Sequence, residues 1–289
     1  MKKLSWIFAV IALFFVGDRI AGWVLQQLTE RSQFRYSRLY QQQAEADILL
    51  VGNSRGLIFY QPYIEEQTGK STFNISYNGM PMDLARVLIE DYLDRYPAPK
   101  QMILDVTICD RENKALTTGY NMFVPYSPRM YDLLYYNDKN SAIASKFSHL
   151  YRYNSEIFQR SIFYLNKSDE DWLIDREINQ SMVDGVNDFE MDTIGLIDSV
   201  FLHLNVAVKA AVQKGVDVKL VINPYYPAYA ARMENLKDLK IRAEQATGLP
   251  VRDYSTAVKE TKGFGDYQHL NKYGSKLFID KMIKDGILK

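Results

Sequence analysis

Two short segments of the sequence carry residue types that together could cleave or transfer an ester. The first is Gly52-Asn-Ser-Arg-Gly56, which directly follows the apolar run Asp47-Ile-Leu-Leu-Val-Gly52. Glycines on both sides of Ser54 permit a tight turn that exposes the hydroxyl at a helix N-terminus. Amide N–H groups in such a turn can stabilise an oxyanion. Taken alone, Ser54 also suits a helix-capping role, which serine favours strongly.

The second segment is Gly265-Asp-Tyr-Gln-His-Leu-Asn271, near the C-terminus. Asp266 stands three residues before His269, and a carboxylate at this spacing can accept the imidazole Nδ1–H and orient the ring. The Nε2 atom is then free to face a nucleophile. A surface histidine beside a carboxylate would give the same pattern. His149 and His203 lack such a neighbour, and His203 lies beside the apolar stripe of a predicted helix, where we expect a structural role.

Composition excludes several other kinds of chemistry. The chain has 289 residues, with 35 basic and 35 acidic side chains and a formal net charge of zero, so we expect no nucleic acid as partner. Cys109 is the single cysteine, which rules out an intramolecular disulfide or a cysteine metal cluster. The histidines are too far apart for a local zinc motif. We therefore expect neither a metal nor an organic cofactor.

The N-terminus predicts a membrane anchor over residues 1–25. Lys2 and Lys3 precede an uncharged run from Leu4 to Gly17, which Asp18 and Arg19 interrupt before a second apolar run. The whole stretch is long enough to span if the charged pair lies near the outer interface. The two lysines favour a cytoplasmic N-terminus and an exported body. A cleaved signal peptide is the alternative, and either one places the body outside the cytoplasm. Residues 26–46 are expected to form a polar stalk.

The rest of the chain, residues 47–289, is expected to be one α/β domain. Short apolar runs predict strands at residues 47–52, 72–75, 101–108, 216–222 and 250–254. Helical patterns follow Pro81, cover 197–208 and about 228–245, and begin again near Asn271. This alternation predicts a three-layer α/β/α fold with a mainly parallel five-stranded sheet. Residues 111–195 are expected to form a helical insertion. Both ester-chemistry segments follow strands or precede helices at the sheet edge where ligands bind.

The order of these segments resembles the SGNH (GDSL-like) hydrolase superfamily, in which the serine follows the first strand and Asp-x-x-His precedes the last helix. Phe73-Asn-Ile-Ser-Tyr-Asn-Gly79 looks like the second block of that superfamily. The resemblance implies that Ser54 is the nucleophile, His269 the general base and then acid, and Asp266 its orienting partner. The amides of Ser54 and Gly79 would form the oxyanion hole.

The sequence departs from this pattern at two places. Asn53 stands where the first block usually has aspartate, and Val106-Thr-Ile-Cys-Asp110 lacks the asparagine of the third block. Loss of one such donor can cost a few kcal/mol of transition-state stabilisation.

Together with the N-terminal segment, these blocks look like the membrane-attached SGNH-like proteins of cell-envelope polymer modification. That likeness implies an exported O-acyltransferase or esterase whose partners are an acyl donor, a carbohydrate polymer and other envelope-modification proteins. A non-catalytic scaffold that binds polysaccharide or an assembly partner is the alternative, motivated by the missing asparagine.

Four further residues are candidates for substrate contact. Arg55 would contact an acidic substrate or face solvent, Asn78 belongs to the second block, and Tyr225 and Tyr226 follow the fourth predicted strand. A second group of eight tyrosines lies between residues 120 and 164, and we expect most of them to pack the insertion against the sheet.

Overall fold

The computed structural model describes residues 2–168, 172–188 and 190–289, with side chains from residue 6 onward. The α-helices are α1 (Lys2–Glu30), α2 (Arg35–Tyr40), α3 (Gln61–Thr68), α4 (Met82–Arg95), α5 (Lys114–Thr118), α6 (Pro128–Asn137), α7 (Lys139–Phe147), α8 (Glu156–Phe163), α9 (Gln180–Gly185), α10 (Asp198–Gln213), α11 (Pro227–Ala230), α12 (Leu236–Thr247) and α13 (Lys272–Lys284). The strands are β1 (Ile48–Val51), β2 (Thr72–Asn74), β3 (Gln101–Asp105), β4 (Asp217–Ile222) and β5 (Val251–Asp253).

The strands of the described chain form one parallel sheet of five, in the order β2-β1-β3-β4-β5. Strands β1, β2 and β3 are buried along their whole length, because parallel strands that connect through helices are covered on both faces. The predicted α/β fold and its strands are confirmed. The third strand ends at Asp105 rather than at residue 108, since the Asp105 side chain accepts the N–H of Thr107 at 3.1 Å and begins a 3₁₀ segment, Val106–Asp110.

Helices cover the sheet largely where the sequence predicts them. Helix α10 buries a stripe that includes Val200, Leu204 and Val208. The helix expected over residues 228–245 is instead two helices, α11 and α12. The break has a local cause, because Asn235 bonds both the N–H and the carbonyl of Ile194 at 2.8 Å and the turn must present its side chain there.

The chain forms two compact units, which divide it differently from the predicted domains. The first, called unit 1 below, comprises residues 2–43 and 114–168, and the second, unit 2, holds the sheet and comprises residues 44–113 together with the described part of 172–289. Of the insertion expected over residues 111–195, therefore, only residues 114–168 belong to unit 1, and the rest of the described part belongs to unit 2. The segment expected to be a polar stalk is also buried in unit 1, where Phe34, Tyr36 and Leu39 are fully covered.

Aromatic packing explains why the segment after α1 is not solvated. The ring of Tyr36 contacts that of Tyr120 at 5.1 Å, and Tyr40 stacks on Tyr126 at 5.8 Å. The tyrosines of the 120–164 region thus include residues that pack within unit 1 around α2, rather than on the sheet.

Helix α1 contains the one segment of the described chain, Trp6–Glu30, that is long and apolar enough to cross a membrane. Such a helix serves as a membrane anchor or as a signal sequence. The predicted orientation of this helix in a membrane depends on the charges of Lys2 and Lys3. Both residues precede position 6, the first whose side chain is described.

Candidate active site

The turn after β1 presents Ser54 without using its hydroxyl as a cap. The side chain of Asn53 accepts the N–H of Arg55 at 2.9 Å and donates to the carbonyl of Thr107 at 3.2 Å. Asn53 therefore caps the 3₁₀ segment Ser54–Ile58. The turn is tight, because a Cβ at Gly52 would lie 2.7 Å from the Cα of Gly56. The capping alternative for Ser54 is wrong, and its hydroxyl is available for another partner.

That partner is His269, which lies 215 positions away in the chain. The Oγ of Ser54 is 2.9 Å from Nε2 of His269, and Nδ1 of His269 is 2.9 and 3.0 Å from the two carboxylate oxygens of Asp266. Asp266 can only accept, so the network assigns the imidazole proton to Nδ1 and leaves Nε2 to accept from the serine. The chain of hydrogen bonds from Ser54 through His269 to Asp266 is unbroken.

The Asp266 carboxylate also organises its own turn. Its Oδ1 accepts the amide N–H of Gln268 at 2.8 Å and that of His269 at 2.9 Å. Burial alone would raise the pKa of Asp266, but the hydrogen bonds from His269 and the two amides outweigh it and hold the pKa below its usual value. Asp266 is therefore ionised at neutral pH and can stabilise a positive charge on the ring.

Asn271 fixes this turn to the start of α13. Its side chain accepts the N–H of Gly274 at 3.1 Å and donates to the carbonyl of Lys262 at 2.7 Å. The histidine segment is thus held at the sheet edge by a helix cap whose asparagine follows His269 by two residues.

Gly79 lies beside Ser54 and has a backbone that favours glycine. Its φ is +66°, and a Cβ there would lie 3.1 Å from Nδ2 of Asn113. Asn113 donates to the Gly79 carbonyl at 2.8 Å and so restrains this residue. Sequence reasoning missed Asn113, although it follows the Val106–Asp110 segment by three positions, near the place where an asparagine was sought.

A polar cavity of about 240 Å³ opens from Ser54. Besides Asn53, Ser54, Arg55 and Gly79, its lining includes Thr107, Asp110, Arg111, Asp192, Tyr225 and Gln268. Arg111 donates from Nε to Asp110 at 2.9 Å, and this hydrogen bond raises the pKa of Arg111 above its ordinary value. Arg111 and Asp192 are not among the site residues predicted from the sequence. Arg111 could have been predicted, because it follows soon after the end of β3, and ligands bind at the carboxyl ends of parallel strands.

A second cavity, of about 210 Å³, also reaches Ser54 and is mainly apolar. Its lining consists of Ser54, Leu57, Ile58, Asn78, Trp172, Leu173, Ile174, Asp266, His269 and Leu270. The Trp172 ring packs at 5.4 Å from that of Tyr77. Trp172 was not predicted as a site residue because it falls within the expected insertion. Asn78, a predicted substrate-contact residue, is exposed and lines this cavity.

Arg55 lies under the serine turn and does not face solvent, since only 3% of the residue is exposed. Its guanidinium carbon is 3.2 Å from the centroid of the Tyr225 ring, and its Nε is 3.7 Å from Oδ2 of Asp105. It also donates to the carbonyl of Asn223. Arg55 therefore ties the turn to the ends of β3 and β4, and the solvent-facing alternative is wrong.

The remaining tyrosine candidates differ in position. Tyr225 lines the polar cavity. Tyr226 is buried against Phe264 and Tyr267, at centroid distances of 5.5 and 6.4 Å, and lines neither cavity. The hydroxyl of Tyr229 donates to Asp192 at 2.6 Å and so helps to form the wall of the polar cavity.

The fold and the site define an α/β protein with a parallel sheet and a Ser–His–Asp hydrogen-bond chain at the carboxyl ends of its strands. Among the described residues, no group of three or more histidine, cysteine or acidic side chains is arranged to hold a metal ion. Comparison of the sequence with models of known protein families finds no match, and comparison with curated proteins finds no significant match.

Proposed function

We propose that this protein is an SGNH-type serine O-acyltransferase or esterase that acts on a cell-envelope carbohydrate through an acyl-serine intermediate. The observation that carries the proposal is the unbroken contact from Ser54 through His269 to Asp266, with Nε2 2.9 Å from Oγ. This is the arrangement that activates a serine hydroxyl for attack on a carbonyl.

The first half-reaction forms the acyl-enzyme. Nε2 of His269 takes the proton of Ser54 as Oγ bonds to the carbonyl carbon of the donor, and the carbonyl π electrons move to its oxygen. The amides of Ser54 and Gly79 stabilise that oxyanion. When the tetrahedral intermediate collapses, the bond to the leaving alcohol breaks, and the alcohol oxygen takes the proton from His269. Asp266 stabilises the imidazolium that exists between these steps.

The second half-reaction repeats these steps with a new alcohol. A sugar hydroxyl or water gives its proton to His269 and attacks the acyl carbon, and collapse returns the proton to Ser54. A sugar nucleophile gives transfer, and water gives hydrolysis. The two-amide oxyanion hole has no asparagine from Val106–Asp110 to assist it, which favours an activated donor over a simple ester.

The two cavities suggest how donor and acceptor are arranged. Proton exchange with His269 requires the alcohol oxygen to lie near Nε2, and His269 lines only the apolar cavity of the two. We therefore assign the alcohol to the apolar cavity, where Trp172 offers a flat surface for the apolar face of a sugar ring. The acyl group extends into the polar cavity. An apolar wall around the attacking oxygen limits access of water, so we favour transfer over hydrolysis.

The N-terminal helix supports a place in the membrane, with the catalytic unit on the extracytoplasmic side as Lys2 and Lys3 imply. In that position the enzyme meets envelope polymers and the other proteins that modify them.

The decisive experiment uses the full chain in detergent with p-nitrophenyl acetate as acyl donor. Intact-mass spectrometry should detect an acetyl adduct that disappears in Ser54→Ala and in His269→Ala. Ser199→Ala removes an exposed serine of unit 2 and serves as the matched control. Acetyl transferred to an added oligosaccharide identifies a transferase, whereas release of acetate alone identifies an esterase.

The second candidate is a scaffold that binds polysaccharide or an assembly partner, and the missing third-block asparagine favours it. If Ser54→Ala fully complements a deletion strain and keeps polymer binding, the scaffold replaces the enzyme.

A further inference from the structure

The uncharged part of α1 is too short to cross a bilayer by itself. Its run from Leu4 to Gly17 has 14 residues (positions 4 to 17), which span about 21 Å at about 1.5 Å per residue. A hydrocarbon core of about 30 Å needs about 20 residues. The span must therefore continue through Asp18 to about Trp23. The exposed side chains of Ile20 and Trp23 suit this position, since tryptophan is enriched where a helix leaves the hydrocarbon.

The opposite face of the same stretch is covered by unit 1. Asp18, Gly22 and Thr29 are buried, and their spacing places them on one side of the helix. Gly22 lies so close to His149 that a Cβ would collide with its side chain. Another segment of unit 1 therefore packs against α1 at Asp18 and Gly22, which are residues that the span must still include.

The segment that packs against α1 is the turn after α7. Side chains of α1 supply hydrogen-bond partners for the polar groups of this turn. Asp18 accepts the hydroxyl of Ser148 at 2.5 Å and the amide N–H groups of His149 and Leu150 at 2.8 and 3.1 Å. Arg19 pairs with Asp18 and donates to the carbonyl of Phe147 at 3.0 Å. Internal satisfaction of charges and backbone is what a lipid environment requires.

Large apolar side chains at and near this turn are exposed. Ile143 and Phe147 lie four residues apart on α7, Leu150 follows the turn, and the three are 47%, 70% and 41% exposed. We propose that these three residues form a lipid-facing rim, and that unit 1 is inserted at the rim into the headgroup and upper acyl region of the bilayer that α1 spans.

The structure supplies an internal control for depth. Phe163 is also exposed, at 52%, but it lies at the other end of α1, where the N–H of Gln33 donates to the carbonyl of Tyr164 at 2.9 Å. Helix α1 ends at Glu30, which follows Arg19 by 11 positions (30 minus 19), or about 16 Å along the helix axis, and Gln33 lies beyond that end. Phe147 and Phe163 are thus two exposed phenylalanines of one unit, one in lipid and one in water.

The test places an environment-sensitive nitrobenzoxadiazole label at each position in the full-length protein. The variants Phe147→Cys, Leu150→Cys and Phe163→Cys are labelled and reconstituted at low density in phosphatidylcholine vesicles. Cys109 is fully buried, so the unsubstituted protein serves as the labelling blank. Brominated acyl chains quench labels that lie in lipid, and iodide quenches labels that lie in water. Circular dichroism and the melting temperature check that each variant is folded.

The expected result is loss of fluorescence with brominated lipid at residues 147 and 150, with protection from iodide, and the reverse at residue 163. Two results would overturn the proposal. One is equal iodide quenching at residues 147 and 163. The other is a label at residue 147 that neither agent quenches, which would show that a second copy of the chain covers the rim.

Discussion

The substitution Asp266→Asn tests the proposed mechanism with little change in shape. In the wild-type chain Oδ1 accepts the amides of Gln268 and His269, and both carboxylate oxygens lie within 3.0 Å of Nδ1. The asparagine oxygen can take the place of Oδ1 and keep both amide bonds. The amide nitrogen then takes the place of Oδ2 and donates to Nδ1.

A donor at Nδ1 moves the imidazole proton to Nε2, the atom that faces Ser54 at 2.9 Å. Nε2 can then no longer accept the serine proton. In serine hydrolases this tautomer change with intact geometry lowers kcat about 10⁴-fold, which corresponds to about 5.4 kcal/mol of transition-state stabilisation. Because the turn keeps its two amide hydrogen bonds, we expect the melting temperature at neutral pH to change far less than activity does.

Steady-state hydrolysis of p-nitrophenyl acetate by the full-length protein measures this effect. Asp280→Asn is the control, since Asp280 accepts the hydroxyl of Tyr63 at 2.8 Å and lies outside both cavities. If Asp266→Asn retains wild-type kcat while Ser54→Ala is inactive, Asp266 does not set the tautomer and the orienting role is refuted.

The same residue predicts a dependence of stability on pH. The pKa of Asp266 is lower in the folded state than its ordinary value, so its carboxylate stabilises the fold above that ordinary value. This contribution is lost as the pH falls through the lower, folded pKa. The stability difference between wild type and Asp266→Asn should therefore shrink in acid, as measured by urea denaturation at a series of pH values. A difference that grows in acid would contradict this sign.

Three further substitutions probe the surroundings of the serine. Gly79→Ala should lower kcat about 10²- to 10³-fold, because a Cβ would crowd Asn113 at 3.1 Å and displace an oxyanion donor; unchanged kinetics would exclude the Gly79 amide. Arg55→Met should destabilise the protein by about 3–5 kcal/mol in urea denaturation, because Asp105 would lose its buried counter-charge. Trp172→Ala should raise KM for a sugar acceptor and leave donor hydrolysis nearly unchanged, whereas equal losses in both would argue against an acceptor site in the apolar cavity.

The centre of the sheet could be predicted from sequence because strands β1 and β3 each contain a short apolar run. Both strands are buried at every position, and their runs are too short for a typical helix. The Asp266–His269 pair was equally accessible, since its geometry depends on a three-residue spacing. Only the approach of Ser54 to His269 needed the sheet order as well, and the expectation that both lie at one sheet edge led to it.

Arg55 shows where local patterns fail. A charged residue next to the predicted nucleophile was expected to meet substrate or solvent, yet it is buried against Asp105 and Tyr225. Its counter-charge comes from the end of a neighbouring strand, 50 positions further along (105 minus 55). Such a pairing depends on which strands are adjacent, and no short window of sequence contains that information.

The same limit explains why unit 1 was not foreseen. Asp18 and Arg19 interrupt an apolar run, and in sequence they indicate only where a membrane span ends. In the structure they cap a turn 130 positions away, through bonds from Ser148 and His149 to Asp18. The charged pair thus joins α1 to the rest of unit 1. Cleavage near Ala21 would remove Asp18 and with it the hydrogen bonds that the turn makes to α1. Helix α1, which is long and apolar enough for a membrane anchor or a signal sequence, is thus also part of the structure of unit 1.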